Sequence, residues 1–233
     1  MQTGVQNSEF KKKYGFTLVE IMIAIFIFSV VITTVFGSYN FLFSSSEKIN
    51  DDILLSEMGS CCLSRMIDDF ESIYIFLPPE YYPDDSDEES DPYRVEGKKN
   101  VFDLKAFSRI RFASLAHLSF DKNVQEGIAE IIYYVKPSYE RDSYELKRSD
   151  RLYPFKPFKE EKTDPVICEN IKSFKLKYYD KDGAEYDLWD SESDSFGYAA
   201  PSEISIKLEL EKNSNSMLFK TRVKLPIFRV KKE

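Results

Sequence analysis

From residue 16 to residue 46 the chain is apolar almost throughout. Residues 21–36 are nearly all Val, Ile, Phe, Ala and Met, and no charged residue lies between Glu20 and Glu47. A run of this length and composition supplies one membrane helix of about 20 residues. Beyond Phe43 the apolar positions thin out but keep a helical period. Ile49, Ile53, Leu54, Met58, Cys61 or Cys62, Met66, Phe70 and Ile73 recur every three to five residues, the spacing of one helical face. One helix from Phe16 to about Ser72 is therefore predicted, roughly 85 Å long at 1.5 Å per residue. Gly37 and Gly59 are its expected weak points, and Pro78-Pro79 ends any helix that reaches them.

After residue 100 the pattern changes to that of strands. Segments 101–112, 127–136, 144–148, 167–179, 202–210 and 218–228 alternate or cluster aromatic and β-branched residues between Pro, Gly, Asp and Asn signals. Asp180-Lys181-Asp182-Gly183 reads as a turn between residues 175–179 and 186–189. The fold class is α+β: a long N-terminal helix, membrane-spanning in its first half, packed on a mostly antiparallel, β-rich globular head. The chain of 233 residues leaves roughly 160 beyond the helix, enough for one such head and too few for a second full domain. Its 19 Phe and 15 Tyr favour a packed aromatic core over a disordered tail.

Charge removes several function classes. The net charge is −8, and Lys and Arg are scattered through strand-like segments rather than gathered in a stripe, which argues against nucleic acid as a partner. Cys61, Cys62 and Cys168 lack Cys-x-x-Cys spacing, and the sole histidine, His117, has no cysteine near it in sequence, so neither a zinc site nor a Ser-His-Asp unit is expected. Cys168 either bridges one of the adjacent pair or the three are small buried side chains; spacing does not decide between these. Residues 83–92 carry Asp84, Asp85, Asp87, Glu88, Glu89 and Asp91 with no apolar residue, a solvated loop for which calcium is the sharper alternative, although no Asp-x-Asp-x-Asp-Gly register is present. No other cofactor is expected. Trp189 and the tyrosines read as core or interface packing rather than a carbohydrate platform.

The start of the apolar run carries the most specific signal. Lys11, Lys12 and Lys13 precede it, so the positive-inside rule leaves them in the cytoplasm and sends the rest across. Glu20 lies at the front of the run, where an ionisable group implies function through a neutralising partner. A cut between Gly15 and Phe16 would create an ammonium four residues, about one helical turn, from Glu20. A secretory signal peptide fits less well: the run is too long, bears Glu20 and has no Ala-x-Ala site behind it.

The stretch Gly-Phe-Thr-Leu-Val-Glu at residues 15–20, followed by the apolar run, resembles the class III signal of type IV pilins and type II secretion pseudopilins. The resemblance implies peptidase recognition at Lys11, Lys12, Lys13 and Gly15. It further implies cleavage by a prepilin peptidase between Gly15 and Phe16, N-methylation of Phe16, and an assembly role for Glu20. The implied organisation is a leader over 1–15, a transmembrane helix over 16–38, its periplasmic continuation over 39–72 and a periplasmic head over 73–233. Loss of the leader removes three lysines and one glutamate and leaves a net charge of −10.

The head is similar to that of the J-type minor pseudopilins. Residues 130–135, 144–148, 171–180, Gly183, Trp189, Pro201 and 204–210 carry the likeness; the acidic loop and the long connection over 153–165 depart from it. That likeness implies a non-enzymatic subunit of a short periplasmic filament anchored in the inner membrane. Its expected partners are the I- and K-type and major pseudopilins, the prepilin peptidase and membrane lipid. The alternatives are a minor pilin of a type IV pilus or competence system, and a membrane-tethered periplasmic enzyme or binding domain.

Overall fold

A computed structural model describes residues 15–75, 91–102, 105–118, 126–138, 143–213 and 215–226. It contains helix α1 (Leu18–Glu71) and eleven strands among those residues: β1 (Ile73–Tyr74), β2 (Glu96–Phe102), β3 (Lys105–Ser114), β4 (Ala129–Pro137), β5 (Tyr144–Leu152), β6 (Val166–Cys168), β7 (Ile171–Tyr179), β8 (Glu185–Tyr186), β9 (Trp189–Asp190), β10 (Glu203–Lys212) and β11 (Asn215–Lys224). The expected α+β class is what this shows: one long apolar N-terminal helix and a head of mostly antiparallel sheet. Two compact units divide the chain, Met1–Ile49 and Asn50–Glu233.

In the first unit the described residues are almost entirely helix, and its apolar side chains are uncovered. Phe26 is 70% and Phe28 65% exposed. In the second unit the helix continues without a break through Gly59, where the sequence suggested weakness; Gly37, in the first unit, is helical as well. Gly59 is there for proximity: a Cβ would overlap the ring of Phe219 on β11, so the strand packs directly on the helix backbone.

The buried stripe of α1 also differs from the expected one. Leu55, Cys62, Met66 and Phe70 are fully buried, whereas Ile49, Ile53 and Leu54 are 57%, 51% and 44% exposed. The core-facing positions run Leu55, Gly59, Cys62, Met66, Phe70, with the glycine filling the stripe without a side chain.

The head holds two antiparallel sheets. The larger has the order β6-β5-β4-β3-β2-β9, with β1 also paired to β3; the smaller is β11-β10-β7-β8. Period-2 alternation places Phe174, Leu176, Tyr178, Ile204, Ile206, Leu208 and Leu210 in the core. Ser108 Oγ on β3 accepts the Leu176 N–H of β7 at 2.9 Å and so links the sheets.

The single expected strand over 101–112 spans parts of a hairpin, β2 and β3, whose first arm Glu-Gly-Lys-Lys-Asn has weak strand character. The Asp180 turn forms as read, with Gly183 at φ +83° and Asp180 Oδ1 accepting the Asp182 and Ala184 N–H groups at 2.9 Å. Its return arm is split between sheets: Tyr186 pairs with Tyr178 in the small sheet, while Trp189 crosses to pair with Gly97 in the large one. Trp189 is 2% exposed and donates Nε1–H to Ala199 O at 3.0 Å, in keeping with a packing role.

Candidate functional site

Thr17 and Glu20 open helix α1. The Thr17 main-chain N–H and its hydroxyl both donate to Glu20 Oε2 at 2.9 Å, and the Glu20 N–H donates back to Thr17 Oγ1 at 3.3 Å. The first helical turn closes with Ile21 N–H on Thr17 O at 3.2 Å. This is a reciprocal capping box, in which an N-cap hydroxyl and a carboxylate three residues on satisfy donors that the helix cannot. Phe16 and Ile21 take the flanking staple positions and border one surface groove with Glu20 and Phe28.

Glu20 also sits at the positive end of the helix dipole. The acid thus has partners within its own turn, engaged through Oε2, and Oε1 takes no part in the box. The sequence signal was Thr-x-x-Glu ahead of an apolar run, which a reading focused on the charge alone passes over. Gly15 lies one residue outside the staple, exposed, with no atom within 4 Å of where a Cβ would stand. Phe16 is 85% exposed. Gly15, Phe16 and Glu20 are therefore gathered at one open end of the helix. Lys11, Lys12 and Lys13 lie outside the described residues.

The helix that follows meets the length and composition requirements of a membrane span, and none of its most apolar window is buried. Uncovered apolar area on this scale calls for lipid or other apolar helices around it.

At the other end of α1 the structure reveals a buried charge network that the sequence did not signal. Asp69 and Arg148 are both fully buried. Arg148 Nε donates to Asp69 Oδ2 at 2.7 Å and Nη1 to Asp150 Oδ2 at 2.5 Å, while Tyr133 OH donates to Asp69 Oδ2 at 2.7 Å. Arg65 pairs with Asp69 from one helical turn away, and both Arg65 and Arg148 donate to Ala116 O. His117 Nδ1 meets Asp150 Oδ1 at 2.6 Å.

Two guanidinium groups and two carboxylates balance in charge, and Tyr133, His117 and the Leu118 N–H occupy further carboxylate lone pairs, while Arg65 Nε is left without a partner. Burial opposes the charge on Arg148, but Asp69 and Asp150 raise its pKa above the ordinary arginine range. Burial and the Asp69 carboxylate push the Tyr133 phenol well up. The ladder pairing Tyr133 with Arg148 brings these residues together from β4 and β5. The network thus fixes the last turns of α1 on the large sheet, and it contains no nucleophile.

The connection over 153–165 folds along the other face of that sheet. Tyr134 OH donates to Asp164 Oδ2 at 2.7 Å, Lys147 Nζ reaches Lys162 O at 3.2 Å, and Arg109 lies over the Phe158 ring at 4.5 Å. A cleft of about 620 Å³ opens beside it, lined by Arg94, Arg109, Arg111, Glu130 and Phe155 among others. Within it Arg111 Nε donates to Glu130 Oε1 at 2.5 Å.

Among the described residues no three His, Cys, Asp or Glu side chains stand where they could hold a metal ion. The acidic stretch weighed for calcium lies outside the described residues except for Asp91 and Pro92.

Comparison with known proteins bears on the N-terminal site. Residues 10–36 match the prokaryotic N-terminal methylation motif, the pilin-like signal cut by prepilin peptidases. No curated protein matches the chain. The motif and the single apolar helix fit a membrane-anchored protein, and the proteins that carry this motif are structural rather than enzymatic.

Proposed function

We propose that this chain is a J-type minor pseudopilin of a type II secretion system, a non-enzymatic subunit at the tip of a periplasmic pseudopilus. In this reading prepilin peptidase recognises Lys11, Lys12, Lys13 and Gly15, cuts between Gly15 and Phe16 and N-methylates Phe16. The hydrophobic helix stays in the inner membrane with its N-terminus cytoplasmic until assembly, and the head contacts I- and K-type subunits. The observation that carries the reading is the end of α1, where the methylation motif coincides with an exposed Gly15–Phe16 step and a carboxylate whose Oε1 lies outside its cap.

A new ammonium on Phe16 places positive charge at the unfavourable end of the helix dipole. Glu20 offsets it, in its own chain or in a neighbour docked alongside, and in a low-dielectric layer the attraction is strong enough to select one axial register. The likeness of the head adds support from β4 and β5, the Asp180 turn and Trp189.

Mass spectrometry of protein extracted from membranes containing a prepilin peptidase tests the processing step. N-methylated Phe16 at the terminus is expected, and Gly15→Ala should retain the leader. An intact leader in the wild type sinks the reading. Co-purification of the full chain with I- and K-type subunits separates secretion from the pilus alternative, since capture by pilus subunits alone would favour the latter. Glu20→Ala should be cleaved normally yet lose co-assembly; wild-type co-assembly removes the role given to the acid.

A further inference from the structure

We propose that Cys62 and Cys168 form a disulfide that staples helix α1 to edge strand β6, with Cys61 left as a free thiol. The proposal rests on the reading above in one respect: the head must lie outside the cytoplasm, where protein disulfides persist.

All three cysteines are free thiols in this structure, but they are not equivalent. Cys62 is 0% and Cys168 1% exposed, and both belong to one core cluster. The Cys168 thiol is the strongest electrostatic neighbour of the Cys62 thiol. An independent contact fixes the same approach one turn away: the Glu169 N–H donates to Met58 Sδ at 3.3 Å. Met58 precedes Cys62 by four residues on one helical face, so the main chain next to Cys168 lies against the turn next to Cys62. Strand β6 is only three residues long and pairs on one side, with β5. An edge strand held from one side gains a second anchor from a crosslink to the helix.

A route for an oxidant lies next to the pair. Cys168 lines a groove of about 560 Å³ together with Leu54, Met58, Cys61 and Glu169. Cys168 is itself buried, so a small disulfide in the groove reaches it when the short edge strand opens locally. Cys61, one residue from Cys62, projects about 100° away around the helix and is exposed, so it cannot take the inward position.

The exchange balances with a small-molecule or protein disulfide as oxidant. The Cys168 thiolate attacks one sulfur of the oxidant, whose S–S bond breaks, giving a mixed disulfide and one released thiol. Cys62 then gives its proton to water and attacks the Cys168 sulfur; the mixed bond breaks and a second thiol leaves. The two protein thiols lose two electrons and two protons, and the oxidant gains them. The adjoining Cys168 thiol and burial push the Cys62 thiol up; burial persists in the mixed disulfide, so the second step accelerates with rising pH.

Full-length protein in detergent, reduced and then equilibrated with oxidised glutathione, provides the test. After alkylation and digestion, a peptide linking Cys62 to Cys168 is expected, with Cys61 alkylated. The thermal midpoint should rise by about 5–15 °C on oxidation. Cys61→Ser should keep the link, and Cys62→Ala and Cys168→Ala should each abolish it. Three alkylated thiols under fully oxidising conditions, or a link that includes Cys61, overturns the proposal whichever side of the membrane the head occupies. A link formed in detergent but absent from protein alkylated directly in cells instead overturns the exterior placement of the head.

Discussion

Single side chains at the two ends of α1 do different work. At the start, Thr17 holds Glu20 Oε2 through both its main-chain N–H and its hydroxyl, so loss of the hydroxyl should loosen the acid while the main-chain bond remains. Thr17→Val is expected to cost about 1 kcal/mol of helix-start stability, seen as faster amide exchange at residues 18–20 in detergent micelles with the rest of the helix unchanged; unaltered exchange there would show that the cap contributes nothing. At the other end, Arg148→Met leaves Asp69 buried beside Tyr133 without its main cation. Removing one partner of a fully buried pair typically costs about 3–5 kcal/mol, so the full chain should show a much lower denaturation midpoint. The double change Arg148→Met with Asp69→Leu should recover part of it, because the Asp69 charge is then gone while Asp150 keeps His117 and the Leu118 N–H as partners.

Between those ends the element itself is tested by Gly59. Alanine is the better helix former by about 1 kcal/mol, but its methyl would have to displace the Phe219 ring. Gly59→Ala should therefore stabilise a Phe219→Ala background by about 1 kcal/mol and fail to stabilise the wild type, a coupling measurable by denaturant unfolding of the four variants. Equal effects in both backgrounds would mean that strand β11 does not press on the helix. The same position shows how far the sequence was legible. Helix α1, most strands and the Asp180 turn are local patterns, written within a few residues of one another; the Thr-x-x-Glu start is equally local but was overshadowed by the charge of Glu20. The buried stripe was misread because its centre is a glycine, which carries no apolar signal and has its role set by a strand 160 residues later. Strand β2 escaped for a related reason: Lys98 and Lys99 form a polar edge whose pairing is decided by β3. The Asp69–Arg148 network joins residues 79 apart in sequence, so nothing in either neighbourhood announces it.

For the whole molecule, surplus acid and folded stability are linked. Net charge is −8, yet several head carboxyls are held below their ordinary range. Burial tends to raise Glu96, but Lys98 and Arg94 outweigh it and lower its pKa; Ser216 and Lys172 lower Glu209, and Lys177 with Tyr179 lowers Glu185. A carboxyl whose pKa is lower folded than unfolded binds fewer protons in the folded state, so its contribution is complete above the unfolded value and is lost as pH falls through the folded one. The folded head should thus keep a level thermal midpoint from pH 7 to about 5 and lose it progressively below about pH 4.5, the ordinary glutamate value. Glu185 is exposed and Glu209 partly so, and salt screens such pairs, so most of the slope that survives high salt should belong to buried Glu96. Glu96→Gln should flatten the fall of the midpoint below pH 4.5 in 0.5 M salt, while Glu185→Gln should change it only at low ionic strength. A slope in high salt that is insensitive to Glu96→Gln would place the acid-labile contact elsewhere in the head.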